Sequence, residues 1–225
     1  MKKLIFITQS KGGAGKSILS FLLAEKYPEA IIMDMDDATK TTTLQLAYRH
    51  PLPVTFLDTY NVIDRGLFNS FLEKVSTSKS DLFIADLGAS ISEQLPFYLK
   101  DVNEFLPDLL VELGIHLELY NIVGGGNIFT QTMGYLKEVV DTANNQFNIK
   151  ILQNNYYEFS SDQNQLLEEF ASLHQLEIIP FNISRDKNQS TQDRIREVLK
   201  SGQGISSASP FSKAYFNQAI KNLAV

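Results

Sequence analysis

The sequence reads as an α/β protein built on a mostly parallel, twisted sheet with helices on both faces. Three observations predict this. Short runs rich in Ile, Leu, Val and Phe recur along the 225 residues. Most are apolar at successive positions, as strands covered on both faces require. Helix-like stretches separate them, and strand–helix alternation builds parallel sheets through right-handed crossovers.

Taken in order, the first strand is Lys3–Thr8, where Leu4-Ile5-Phe6-Ile7 gives way to Thr8-Gln9. A glycine-rich loop leads to helix Ser17–Lys26, and strand Ala30–Asp34 closes on acidic residues. The stretch from Arg49 to Val62, broken by Pro51 and Pro53, is irregular and receives no element. Helix Phe68–Lys74, strand Asp81–Asp86 and helix Ser92–Asn103 follow. Strand His116–Val123 runs into Gly124-Gly125-Gly126, read as a flexible turn, and then helix Phe129–Asn144. Strand Asn148–Gln153, helix Ser161–His174, strand Leu176–Pro180 and helix Asp193–Lys200 complete the alternation. No Gly/Ser/Pro linker divides the chain, so residues 1–225 are expected to form one domain.

Composition narrows the chemistry. There is no cysteine, which removes disulfides, thiolate zinc sites, iron–sulfur clusters and thiol nucleophiles. No apolar run reaches the ~20 residues of a membrane span. The N-terminal apolar stretch is too short for a secretion signal, and a cytoplasmic location is expected. Net charge is −6, from 20 basic and 26 acidic residues. The charge is uneven. From Asn182 onward Arg185, Lys187, Arg194, Arg196, Lys200, Lys213 and Lys221 face only Asp186, Asp193 and Glu197. An acidic whole argues against a dedicated nucleic-acid binder, while the basic final segment leaves room for a local, salt-sensitive phosphate contact. The alternative is a solvated helix face.

The first loop carries the sharpest signal. Gln9-Ser10-Lys11-Gly12-Gly13-Ala14-Gly15-Lys16-Ser17 joins the first strand to a helix continuing from Ile18. Its glycines let backbone N–H groups close around phosphate oxygens, and the helix N-terminus aims partial positive charge at the same anion. Lys16 can reach the β- and γ-phosphates, and Ser17 can ligate Mg²⁺. Ser10 stands where a P-loop usually has its first glycine, and Lys11 opens the loop instead.

Lys11-Gly-Gly-Ala-Gly-Lys-Ser17 resembles the deviant Walker A motif of the ParA/MinD family of P-loop ATPases, with ParA-like partition ATPases the nearer likeness. The resemblance implies an ATP-sandwich homodimer in which Lys11 crosses to the γ-phosphate held by the partner. It implies nucleotide contacts at Gly12, Gly13, Ala14, Gly15, Lys16, Ser17 and Ile18. Ile31-Ile32-Met33-Asp34-Met35-Asp36 is similar to the family's second motif, so Asp36 would position the attacking water; Asp37 stands where a proline is common. Alternatively these aspartates only end a strand and cap the next helix. Asp81–Gly88 resembles a Walker B strand, with Asp86 holding Mg²⁺ through water alongside Ser17 and Asp34, and Gly88 permitting switch movement. Asn154 and Pro180 fall where the family contacts the base, although Asn154 also suits a simple turn. Ser207–Leu223 resembles the family's terminal helix.

The resemblance implies a slow, partner-stimulated, Mg²⁺-dependent ATPase acting as a switch in plasmid partition or related cargo positioning, including conjugation. Its cofactors would be ATP/ADP and Mg²⁺. Its partners would be a second copy, nonspecific DNA and a ParB-like stimulating protein. DNA contacts would come from Arg185, Lys187, Arg194, Arg196 and Lys200. Two other classes stay open: a MinD-like membrane-associated ATPase, which needs a basic amphipathic C-terminal helix, and an ATP-dependent metabolic enzyme on the same fold. ATP is favoured over GTP. Ser78-Lys79-Ser80-Asp81, nearest to a guanine-reading motif, precedes the Walker B strand.

Overall fold

The computed structural model describes residues 1–36, 40–143, 146–184 and 188–225. Seven strands form one sheet: β1 (Lys2–Thr8), β2 (Ile31–Met35), β3 (Leu52–Pro53), β4 (Leu82–Leu87), β5 (Ile115–Gly124), β6 (Asn148–Asn154) and β7 (Glu177–Phe181). Their order is β3-β2-β4-β1-β5-β6-β7, and every neighbouring pair is parallel. β1 lies between β4 and β5. The chain leaves it first toward β2 and later toward β5, so β1 borders the crevice where open α/β sheets bind ligands, beyond the strands' carboxyl ends.

Alternation along each strand divides the core. Leu4 and Phe6 face one layer, where α3 (Arg65–Thr77), α4 (Ala89–Val102), α5 (Leu106–Glu112), α6 (Phe129–Ala143) and α7 (Ser161–Leu173) pack. Ile5 and Ile7 face the other, covered by α1 (Lys16–Lys26), α8 (Gln189–Ser201) and α9 (Pro210–Asn222), with Leu46 at the end of α2 (Thr41–Gln45). Burial on both faces is why the strands read as unbroken apolar runs. In the first layer, Phe6, Phe56, Phe68 and Phe71 form one aromatic cluster, with Phe56 and Phe68 edge to face at 5.2 Å.

Two helices were not expected. α2 and α5 are short, at five and seven residues. The irregular 49–62 stretch holds the two-residue edge strand β3, whose Pro53 is tolerated because an edge needs fewer donors. The expected end of α6 at Asn144 lies outside the described residues.

Two of the three glycines at the end of β5, Gly124 and Gly125, are close-packed, and the third, Gly126, takes a φ of +59°, which corrects the flexible-turn expectation. A Cβ on Gly124 would lie 2.4 Å from Ile128 Cδ1, and one on Gly125 would lie 2.4 Å from the Glu158 carbonyl. Gln163, the capping-box residue of α7, also exchanges two hydrogen bonds with the Gly126 backbone, at 3.0 and 3.1 Å. The glycines let the segment from Tyr157 to Phe159 lie against β5.

Pro96, inside α4, has no N–H to offer the Ser92 carbonyl one turn earlier. Tyr135 of α6 donates its hydroxyl to that carbonyl at 2.7 Å and also meets Thr8 Oγ1. A helix defect thereby becomes the joint fixing α4 and α6 to the end of β1.

Candidate functional site: a phosphate loop beside two acidic strand ends

Gly13 and Gly15 take φ of +77° and +110°, a region that disfavours side chains. Gly15 has a second reason to be glycine: a Cβ there would lie 2.5 Å from Asn154 Nδ2. The loop is braced from three sides. Gln9, fully buried, donates to the Ile122 carbonyl at 2.7 Å and accepts from Lys11 N–H at 3.1 Å. Asn154 Nδ2 donates to the Ala14 carbonyl at 2.8 Å, and the Tyr157 hydroxyl donates to the Gly13 carbonyl at 2.7 Å. With two loop carbonyls held by β6 and the residues after it, the loop can present its amides to an anion at the start of α1.

Lys16 opens α1 and bends back, its Nζ donating to the Gln9 carbonyl at 2.7 Å. Burial lowers its pKa, against the raising fields of Asp86 and Asp36. A phosphate would supply the neutralising partner that the buried ammonium lacks in full. Lys11 is half-buried, and among the described residues its ammonium forms no ion pair.

Asp34 and Asp86 stand in register on neighbouring strands. Both are buried, at 5% and 2% exposure. They differ in how they are satisfied. Asp34 accepts from Asp36 N–H at 3.1 Å, from Thr43 N–H at 2.7 Å and from Thr43 Oγ1 at 2.6 Å. Its carboxylate thus fixes the first turn of α2, as the helix-capping alternative proposed. Asp86 accepts from the Thr42 hydroxyl through Oδ2, while Oδ1 is buried with no hydrogen-bond partner. Burial raises the Asp86 pKa to about 6, with Thr42, Ser17 and Lys16 pulling the other way. Ser17 is near enough to Asp86 to lower its pKa as a hydrogen-bonding neighbour, yet no bond of normal geometry reaches Oδ1. An orphaned carboxylate oxygen beside Ser17 and the phosphate loop suits Mg²⁺, which keeps several waters and uses few protein ligands. Among the described residues no cluster of three or more His, Asp or Glu could bind a metal without such help.

Asp36 ends the acidic segment against Gly88. A Cβ on Gly88 would lie 2.9 Å from the Asp36 Cα and from the Met35 carbonyl. Here glycine allows two strand ends to touch. Asp37 lies outside the described residues.

Beside the loop opens a cavity of about 230 Å³, lined by Ile18, Asn154, Tyr156, Tyr157, Phe181 and Arg196 among others. Asn154 is at the cavity but only 3% exposed, and its amide is engaged with Ala14 O and Tyr156 N–H. Pro180 is not brought to this cavity: it lines a neighbouring groove with Tyr215 and Asn222, while the next residue, Phe181, turns in. Alternation along β7 explains the one-residue shift. Tyr156 and Tyr157 were not singled out in the sequence, and in the segment Ile178–Phe181 the cavity is lined by Phe181 in place of Pro180. The adjacent tyrosines at the carboxyl end of a strand were the available signal.

Arg194, Arg196 and Lys200 are exposed on α8, but Asp193 and Glu197 share that surface. Arg196 pairs with Asp193 at 3.2 Å, and Arg194 lies 6.0 Å from the exposed Phe211 ring. Arg185 and Lys187 lie outside the described residues. α9 packs on α1, with Phe216 5.4 Å from Phe21, so its main apolar side is covered. Among the described residues no helix is long and apolar enough to cross a membrane. The Ser78–Asp81 segment sits at the opposite end of the sheet, where Lys2 bonds the Ser78 and Ser80 carbonyls.

No protein-family model matches the chain. Two Escherichia coli proteins named TraL align with it over 139 residues, at 28% and 30% identity. Each alignment covers 59% of this chain and 55% of the relative, so the chain spans about half the length of the curated relatives it matches. A proposed plasmid partition protein of Borrelia burgdorferi, crystallised with AMPPNP, superimposes with a TM-score of 0.51 at 14% identity, over 99% of this chain and 96% of that one. A second plasmid partition protein of that organism gives 0.48 at 15% identity, over 89% and 98%. The chain thus shares with the AMPPNP-bound protein a fold: one all-parallel sheet with helices on both faces.

Proposed function

We propose that this chain, as a single domain, is a ParA-like ATPase: it binds ATP with Mg²⁺, forms a nucleotide-bridged homodimer and switches a DNA-borne cargo between states. One observation carries the reading. Lys16 and Ser17, at the first turn of a helix after a loop bent at Gly13 and Gly15, converge with Asp86 and Asp36 from two adjacent strand ends. Phosphate grip, cation site and water-positioning carboxylate would then lie within one crevice.

The loop amides and Lys16 bind the phosphates and stabilise charge building on the transferring group. Asp36 orients a water whose oxygen bonds to the γ-phosphorus as the bond to the β,γ-bridging oxygen breaks; ADP leaves with that oxygen, and the water's proton passes to the released inorganic phosphate or to solvent. Ser17 and Asp86 would hold Mg²⁺, which would neutralise phosphate charge when bound. Asp34 acts by fixing α2 rather than by touching the cation. Asn154 braces the loop, and the base enters the aromatic cavity between Tyr156, Tyr157 and Phe181. Lys11 serves the partner's γ-phosphate, so nucleotide is fully engaged only in the dimer and binding is linked to association. Nonspecific DNA contacts the basic residues of α8 and the segment before it, and a stimulating protein sets the slow hydrolysis rate. The TraL relatives favour conjugation as one setting.

Sedimentation velocity tests the dimer. With ATP and Mg²⁺, Asp36→Ala should sediment as a dimer that retains DNA at low salt and releases it as salt rises. Adding Lys11→Ala should return it to monomer. A monomer at saturating ATP in the single variant would overturn the sandwich.

A further inference from the structure

We infer that Thr42 is a positioning residue of the cation site, and that through it α2 and α8 respond to metal-bound nucleotide. The inference rests on the nucleotide–Mg²⁺ reading and extends it to a residue on neither strand nor phosphate loop.

The two carboxylate oxygens of Asp86 differ in their surroundings. Asp86 Oδ2 is held by the Thr42 hydroxyl, and Oδ1 has no partner. Thr42 is 1% exposed, so water does not compete for that bond. With one oxygen fixed, the carboxylate cannot rotate freely. Its unpartnered oxygen stays available to a water on a cation held by Ser17. A side chain without a hydroxyl would leave Oδ2 without this bond and the carboxylate freer to turn.

The same bond places α2. Five residues cannot sustain a helix alone. Its threonines reach both acidic strand ends, Thr42 to Asp86 and Thr43 to Asp34. Its far end touches the turn after α8: a Cβ on Gly202 would lie 2.7 Å from the Leu44 carbonyl, and Tyr48 N–H donates to the Gly202 carbonyl at 3.0 Å. α8 in turn carries Arg194, Arg196 and Lys200. A cation that fixes Asp86 thereby fixes Thr42, α2 and the end of α8. Through these contacts α2 couples the cation site to α8.

The experiment compares wild type with Thr42→Val and Thr42→Ser, measuring affinity for a fluorescent ATP analogue with Mg²⁺ and with EDTA. Thr42→Val should lose about 10–100-fold of the Mg²⁺-dependent gain, leaving affinity in EDTA unchanged, and Thr42→Ser should keep the gain. Hydrogen exchange supplies the second readout. Residues 41–46 and 198–204 should gain protection together on adding Mg²⁺-nucleotide in wild type and Thr42→Ser, but not in Thr42→Val. Thr42→Ala substitutes should the valine variant not fold. Equal losses with and without Mg²⁺ would mark a merely structural role and overturn the inference. So would protection of 198–204 without 41–46, or a gain retained by both hydroxyl-free variants. A wild type that binds no nucleotide in either condition would instead overturn the underlying reading.

Discussion

Asp86 shows how much a single residue's surroundings add to its place in the sequence. A strand-terminal aspartate was legible, and a cation role was expected of it. Its burial and its half-satisfied carboxylate were not, because Thr42 is remote in sequence and lies in a stretch with no helical stripe. Asp34, expected beside the cation, has its oxygens engaged by Asp36 and Thr43. Sequence cannot distinguish two aspartates of one register, since their difference lies in what folds over them. The shift of Asp86 has a measurable sign. An unfolded aspartate ionises near pH 4. Burial holds the folded carboxyl up at about 6. Ionisation is thus harder in the folded chain, and stability falls as pH rises from about 4 to about 6 and stays lower above. Asp86→Asn removes that loss. Without nucleotide, the variant should be more stable than wild type at pH 7.5, by up to about 3 kcal/mol. In calorimetry the difference should shrink toward pH 4. Equal melting temperatures at pH 7.5 would contradict burial as the cause.

At the scale of elements, six strands were legible within a residue at each end, because burial on both faces leaves continuous apolar runs. α2 was not: Thr-Thr-Thr-Leu-Gln has no amphipathic period, and Lys40 enters it in the left-handed region at φ +47°. α5 is a single short segment with proline in its first turn. The glycines after β5 were visible but misread, since composition does not distinguish freedom from close approach. Substitution separates the two. Gly125→Ala drives a Cβ into the Glu158 carbonyl and should cost about 1–3 kcal/mol in urea unfolding. Gly134, inside α6 with nothing within 4 Å of its built Cβ, should gain up to about 1 kcal/mol on conversion to alanine. Similar effects at both glycines would remove the packing argument. Because Tyr157 bonds Gly13, the Gly125→Ala strain should also weaken nucleotide binding.

For the whole molecule, strand order sets the site. Placing β1 between β4 and β5, with β2 beyond β4, gathers the glycine-rich first loop, Asp36 and Asp86 at one end of the sheet. The basic α8 reaches that end through Arg196 at the cavity and through Gly202 at α2. Sequence revealed the basic surplus of the final segment, but not that Asp193 and Glu197 share the exposed face of α8. The central claim remains the grip of the first loop on a triphosphate. Equilibrium titration of a fluorescent ATP analogue with Mg²⁺ tests it most directly. Wild type should bind saturably, and Lys16→Ala should bind about 100-fold more weakly or worse, the loss expected on removing one partner of a buried charge pair. Equal affinity in the two proteins would contradict the account.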